Sequence, residues 1–425
     1  MHKPGYIPRI VDMQVEEYLT AFGAVEVSGT MWSGKTWTSE EHAASEVSFV
    51  EGQSRELAQI DPSAVLDGAK PRVIDEWQEV PEIWDVVRQS VDNSGNACGQ
   101  YLLTGSSSPA RDKTRHSGAG RIGRLRMWPM TLCETGVSDG SVSLKSLFDG
   151  QFHAGAVETD LASLAETICR GGWPAAYNAD VRASRLIARN YIDSFVEASE
   201  GKAPVSPAEL RALLGSLARN VGSAVTRETL AKDTFQTEEP SKGQLDAMTS
   251  GIEYLKRHYV VSPTNGWDAP IKSPSRLRTK PKYLFADSSL AASLLGMIPE
   301  RLMGNLQVFG QLFEELCMRD LNVYARSIPE AGRDPVRYYR DSDGLEVDAV
   351  IELDDGRWGA LEVKLGANKV EKAESNLLRL VKKVAANPAA RNPEPSFLAV
   401  LVGKTDFKYR TENGVFVFPV TCLAP

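Results

Sequence analysis

The segment Gly29-Thr-Met-Trp-Ser-Gly34-Lys35-Thr36 constrains this chain more than any other, because it satisfies G-x-x-x-x-G-K-[ST] without a mismatch. A short apolar run, Ala24-Val25-Glu26-Val27, leads into it, and residues 37–44 can continue behind it as a helix. Strand, glycine loop and helix start form the setting that phosphate binding needs. Glycine lets the backbone wrap an anion without side-chain clash, and the N–H groups at a helix start face it. Lys35 would reach the β- and γ-phosphates of ATP and Thr36 would ligate magnesium, with Gly29, Thr30, Ser33, Gly34 and Trp37 around the nucleotide.

A nucleotide-bound magnesium ion also requires a carboxylate at the end of a neighbouring strand. Val73-Ile74-Asp75-Glu76, some 40 residues after the loop, provides one. Asp75 would hold the metal, directly or through water, and Glu76 would orient or deprotonate the attacking water. Leu102-Leu103-Thr104-Gly105-Ser106 places the Thr104 hydroxyl at another strand end, where it would sense the γ-phosphate or the water. Arg121, Arg124 and Arg126 are candidates for an arginine finger, acting on the same or a neighbouring subunit. Strand alternation puts Arg124 and Arg126 on one face, and the sequence does not choose among the three.

At 425 residues the chain exceeds one ordinary hydrophobic core. Helices at 11–22 and 81–91 and strands at 72–74, 100–103 and about 121–127 predict an α/β domain with a parallel sheet covered on both faces. The Gly-, Ser- and Asp-rich stretch 135–155 closes this P-loop NTPase domain, 1–145. Helices at 161–170, 183–199, 207–220 and 243–257, a short helix near 225–231 and wing strands near 259–261 and 283–285 predict a helical, winged-helix-like domain, 155–300. A helix at 308–323, strands at 336–339, 346–353, 358–363 and 396–402, and a helix at 370–384 predict a last α/β domain, 301–425.

Apolar residues at 42% and charged residues at 24% fit a soluble globular chain. No segment reaches the roughly 18 uncharged apolar residues of a membrane span, and no apolar run follows the first basic residues, so a cytoplasmic protein without a membrane partner is expected. The five cysteines are scattered and odd in number, which indicates neither a disulfide framework nor a thiolate zinc site. The net charge of −8 excludes a uniformly basic coat but permits local basic grooves at 111–126 and at 272–282, where five basic residues meet no acidic one.

Taken together, the loop, Ile74-Asp75-Glu76-Trp77-Gln78, Leu103-Thr104-Gly105-Ser106-Ser107 and His116-Ser117-Gly118-Ala119-Gly120-Arg121 resemble an AAA-type bacterial ATP-binding family with a carboxy-terminal domain of unknown function. The resemblance covers nearly the whole chain and implies nucleotide binding. That family tends to have cysteine where Ser33 stands here, a change that leaves the phosphate contacts unaffected.

In the last domain, Asp348 stands about 13 residues before Glu362-Val363-Lys364, with the turn Asp341-Ser-Asp-Gly ahead of it and Glu314 on the preceding helix. This resembles the restriction-endonuclease-like pattern of an acidic residue followed by Glu-x-Lys on the next strand. Asp348 and Glu362 would bind a divalent cation that polarises a scissile phosphate, and Lys364 would stabilise or help generate the hydroxide. Three functions follow: an ATPase, associated with DNA, that drives a nuclease-like module; a nucleotide-dependent switch for a protein partner with an inactive last domain; or an effector that cuts nucleic acid when its ATPase domain releases it. Self-association is compatible with each.

Overall fold

The apolar run ahead of the glycine loop becomes the middle of a parallel sheet. In the computed structural model, which describes residues 4–107 and 118–425, the chain divides into two units. One comprises the residues up to Met130 with Leu255–Val260, the other Thr131–Tyr254 with Val261–Pro425. Residues 111–117, part of the first basic stretch and of the His116-Ser117 motif, lie outside the described residues.

The first unit contains α1 (Val11–Ala21), β1 (Ala24–Gly29), α2 (Lys35–Glu41), β2 (Ser45–Ser48), α3 (Gly52–Ile60), β3 (Arg72–Asp75), α4 (Ile83–Asn93), β4 (Tyr101–Gly105) and β5 (Ile122–Met127). The strands run parallel in the order β2-β3-β4-β1-β5. Every residue of β1 is buried, as expected of a strand covered on both faces. Alternation divides the cover: Ile74 and Leu103 join a core with Trp77, Trp84 and Val87, whereas Val25, Val27, Val73 and Leu102 join one with Val11 and Val15. Because β4 lies between β1 and β3, the carboxyl ends carrying Gly29, Thr104 and Asp75 stand side by side. The predicted elements recur here with ends shifted by one to three residues, but β2 and α3 have no counterpart in the prediction. The β2 sequence Ser-Glu-Val-Ser is a short polar edge strand with no apolar run to announce it.

The second unit begins with β6 (Val142–Ser143), α5 (Leu144–Phe148) and β7 (Gly155–Ala156). Helices α6 (Leu161–Arg170), α7 (Val181–Ala198), α8 (Pro207–Arg219), α9 (Arg227–Phe235) and α10 (Lys242–Arg257, of which Leu255–Arg257 count with the first unit) follow. Ser206 and Glu209 close the start of α8 as a capping box. A two-stranded antiparallel ribbon comes next, β8 (Val261–Thr264) with β9 (Lys282–Phe285), separated by α11 (Ser275–Arg278). Then come α12 (Ser288–Leu294), α13 (Pro299–Met303) and α14 (Leu306–Arg326). Arg319 of α14 is buried and forms ion pairs with Asp287, the cap of α12, at 2.6 Å and with Asp320 at 2.7 Å.

The remainder is β10 (Ala331–Arg340), β11 (Glu346–Leu353), β12 (Trp358–Gly366), α15 (Val370–Ala385), β13 (Phe397–Lys404), β14 (Phe407–Arg410), β15 (Phe416–Pro419) and β16 (Leu423–Ala424). The sheet order is β10-β11-β12-β13-β15-β14-β7. β10, β11 and β12 pair antiparallel, and β12 pairs parallel with β13 across the α15 crossover. Leu377, Leu380 and Val384 of α15 pack on Ala360, Val400 and Val402. Among the described residues no helix is long and apolar enough to cross a membrane.

Candidate nucleotide site and a second carboxylate centre

At Gly29 the chain passes so close to β5 that an added Cβ would lie 2.2 Å from the Met127 carbonyl oxygen, so only glycine fits. The turn itself uses left-handed backbone at Trp32 (φ 62°) and Gly34 (φ 98°). The first is unusual for a bulky residue and marks the loop as held by its surroundings. Arg9 is part of that support: its guanidinium donates to the carbonyl oxygens of Ser33 and Trp128, each at 2.8 Å. Ser33 Oγ donates to the Thr30 carbonyl oxygen at 2.9 Å, and Lys35 Nζ donates to the same oxygen at 2.8 Å. Lys35 is buried, and burial pushes its pKa down to about 8 against the opposing pull of Glu76 and Asp75. Trp37 follows on the outer face of α2, 46% exposed.

Three hydroxyls converge on the Asp75 carboxylate. Thr36 Oγ1 donates to Oδ1 at 2.8 Å, Thr104 Oγ1 donates to the same atom, and Ser48 Oγ donates to Oδ2 at 3.2 Å. Glu76 sits in left-handed backbone (φ 53°, ψ 45°), where β3 ends. Its N–H donates to Thr104 Oγ1 at 3.3 Å, and its carboxylate accepts from Ser106 Oγ at 3.2 Å and from Gln78 Nε2. A phosphate with its magnesium ion fits this cradle: a glycine-lined turn, a covered ammonium, a hydroxyl and a carboxylate of the right type.

The arginines are placed differently. Arg121 Nε lies 2.6 Å from Asp92, and Arg124 lies 3.4 Å from the buried Glu26 with its guanidinium over Trp84. Arg126 lies over Trp128. Arg124 and Arg126 share the less buried face of β5. Ser48, Gln78, Ser106 and Arg9 join the site without having been singled out in the sequence. Gln78 and Ser106 lie inside motifs already recognised, but nothing local announces Ser48 or Arg9.

In the second unit the structure brings Asp348, Glu362 and Lys364 together. Asp348 accepts from the Val363 N–H at 2.8 Å and pairs with Lys364 Nζ at 2.9 Å. Glu362 pairs with the same ammonium and accepts from Asn376 Nδ2 of α15 at 3.0 Å. Glu314 belongs to the cluster through Lys282, whose Nζ lies 3.2 Å from Glu314 and 2.7 Å from Glu346. Burial, reinforced by the Asp348 charge, raises Glu362 to about 8 and Glu314 to about 7. Burial also opposes the charge on Asp348, yet the ammoniums of Lys364 and Lys282 and the Val363 N–H hold its pKa below the usual range. Among the described residues no group of three or more His, Cys, Asp or Glu is arranged to hold a metal ion.

The basic segment 272–282 is not a uniform surface patch. Arg276 makes a two-pronged ion pair with Glu352, at 2.6 and 2.9 Å, and Lys282 is buried in the carboxylate cluster. Lys272, Arg278 and Lys280 face outward.

Comparison with known proteins matches three segments of the chain to family models. Residues 22–136 match an AAA domain family, 161–301 a domain of unknown function (DUF8612) and 309–423 another (DUF4143). The uncharacterized proteins Mb2031c of Mycobacterium bovis and Rv2008c of Mycobacterium tuberculosis are each 24% identical over 310 residues, 72% of this chain and 61% of theirs. The chain thus spans less than two thirds of these curated relatives. The Walker-type ATPase PABY2304 of Pyrococcus abyssi superposes with a TM-score of 0.45 at 13% identity, over 69% of this chain and 97% of that one, a likeness too slight to carry an argument. The family match at residues 22–136, on a loop with this geometry, supports an AAA-type ATP-binding domain in this chain.

Proposed function

We propose that the chain is a magnesium-dependent ATPase. The observation that carries this reading is the sharing of one Asp75 oxygen by the hydroxyls of Thr36 and Thr104, 39 and 29 residues away from it in the sequence. Magnesium ATP, when bound, supplies the phosphoanhydride and the metal charge; Thr36 and Asp75 would hold the ion. Lys35 would exchange the Thr30 carbonyl for phosphate oxygens. Glu76, oriented by Ser106 and Gln78, would accept the proton of the attacking water, and Thr104 would report on the γ-phosphate through Asp75. Arg121 or Arg124 would act as a finger only after leaving Asp92 or Glu26. The test is phosphate release from ATP by the full chain. Lys35→Ala should lose both binding and release, and Glu76→Gln should lose release alone; a Glu76→Gln protein that turns over like the wild type sinks the assignment.

Across the whole chain we read three domains: a P-loop ATPase domain 1–145, a winged-helix-like 155–300 and a restriction-endonuclease-like 301–425. Support for the last is the order α14, antiparallel β10-β11-β12, α15 and parallel β13, with Asp348 on the second strand and Glu362 and Lys364 on the third. Support for the middle one is α8 to α10 followed by the β8–β9 ribbon. In this reading the ATPase is coupled to a nuclease-like, DNA-associated domain, with Lys272, Arg278 and Lys280 facing phosphates. The pairing of these carboxylates with Lys282 and Lys364 favours a second reading, a nucleotide-dependent switch for a protein partner whose last domain does not cleave. A metal-dependent cleavage assay on DNA and RNA decides between them: cleavage lost in Asp348→Ala supports the nuclease, and its absence from the wild type supports the switch.

A further inference from the structure

The second unit contains a cavity of about 190 Å³ unrelated to either carboxylate centre. It lies between α7 and α12, and Arg182, Arg185 and Arg189 line it. The spacing i, i+3, i+7 sets these three guanidiniums on one face of α7. Among the described residues none of them forms an ion pair or a hydrogen bond, in a chain of net charge −8 with carboxylates to spare. Glu300 of α13 is near enough to act on Cys169, as Arg185 does, yet no ion pair joins it to Arg185. Three like charges on one helix face repel each other, so the arrangement costs free energy that an anion would recover.

The opposite wall shows what kind of anion fits. Ser289 lines the cavity, is 1% exposed, and accepts a hydrogen bond from Trp173 Nε1 at 3.0 Å. Its own hydroxyl proton has no acceptor among the described residues. Ser293 adds a second hydroxyl one helical turn on, and Leu186, 60% exposed, gives an apolar side to the opening. Arginines in a fork with hydroxyl donors suit a tetrahedral oxyanion. The volume is below the roughly 300 Å³ at which pockets for nucleotide-sized ligands begin, so the anion carries only a small organic group.

We propose that the cavity between α7 and α12 is a binding site for a small phosphomonoester or free phosphate, held by Arg185, Arg189 and Arg182 with Ser289 donating from below. The test uses full-length protein carrying Lys35→Ala, so that the glycine loop does not contribute, titrated calorimetrically with inorganic phosphate and with phenyl phosphate. Saturable one-site binding is expected, weakening at least tenfold in Arg185→Ala/Arg189→Ala, weakening less in Ser289→Ala, and falling with added salt. Phenyl phosphate binding tighter than phosphate assigns the site to a phosphomonoester; equal affinity assigns it to the free ion. Both substituted arginines are at least partly exposed, and the charge-preserving Arg185→Lys/Arg189→Lys protein, with intermediate affinity expected, guards against loss of fold. Phosphate binding unchanged by the alanine pair, or absent from the Lys35→Ala parent, overturns the proposal. So does arginine-dependent binding of a DNA duplex without any phosphate binding, which would make this helix a nucleic-acid face instead.

Discussion

Two buried acidic centres in this chain are built from similar residues and satisfied in opposite ways. Asp75 receives its hydrogen bonds from the hydroxyls of Thr36, Thr104 and Ser48, whereas Asp348 and Glu362 are held by Lys364, with Glu314 and Glu346 held by Lys282. A hydroxyl that donates to a carboxylate turns its lone pairs to a metal without leaving its place. An ammonium competes with the metal for the same charge. In the proposed ATPase the Asp75 centre is therefore ready for a cation, whereas the second centre already has one of its own. The widest gap this predicts is in ATP turnover. Glu76→Gln should lower hydrolysis about 100- to 1,000-fold, within the range of a removed general base, and leave nucleotide binding intact. Asp348→Asn should change hydrolysis by less than about twofold, because that carboxylate has no part in positioning water at the glycine loop. Phosphate-release rates and fluorescent-nucleotide affinities on the two variants check both statements, and a large loss in Asp348→Asn would break the comparison by coupling the centres.

The lysines sharpen the same contrast through stability. Lys35 is buried with its pKa lowered, which means that the fold works against its charge; Lys282 is buried with its pKa raised, since Glu314, Asp348 and Glu346 outweigh the burial. Lys282→Met should destabilise the second unit by about 2 kcal/mol, less than the 3–5 kcal/mol of a fully enclosed pair because Glu346 is partly exposed. Lys35→Met should leave the first unit within about 0.5 kcal/mol of the wild type, or slightly more stable. Urea denaturation of the two variants measures this. Equal destabilisation would mean that the lysine in the glycine loop also serves as a structural counter-ion.

The difference also explains what the sequence made legible. The loop, Asp75, Glu76 and Thr104 are legible as candidates because each stands at a fixed place in a local pattern: a glycine turn, or a polar residue ending an apolar strand. Asp348, Glu362 and Lys364 share adjacent strands and were found as a set for the same reason. Ser48 and Arg9 could not be found, since their contacts with Asp75 and Ser33 depend on the order in which strands and segments pack. Lys282 shows the reverse error. It lies in a basic run that reads as surface charge, but it ends inside the fold because β9 pairs with β8 and faces α14. Arg276, bound to Glu352, repeats the lesson. The edge strand β2 went unpredicted because an edge needs apolar residues on one side at most, and Ser-Glu-Val-Ser has only one.

The smallest predicted effect is the pH dependence, and here the two units respond with opposite sign. Glu362, about 8, and Glu314, about 7, titrate in the fold above the ordinary glutamate value of 4.5. Between those values the folded protein holds protons that the unfolded chain has released, so their contribution is complete below about 4.5 and is lost as pH rises through 7 to 8. Lys35 titrates in the fold at about 8, below the ordinary lysine value of 10.5. There the unfolded chain holds the extra proton, so stability of the first unit rises with pH from about 8 to 10.5. The clean measurement is a pair of melting curves for wild type and Glu362→Gln, since glutamine imitates the protonated acid. The two should melt together near pH 5, with the wild type falling behind by a few degrees as pH approaches 8.5. A difference that does not change with pH would mean that Glu362 is ionised throughout, paired with Lys364 as a permanent salt bridge.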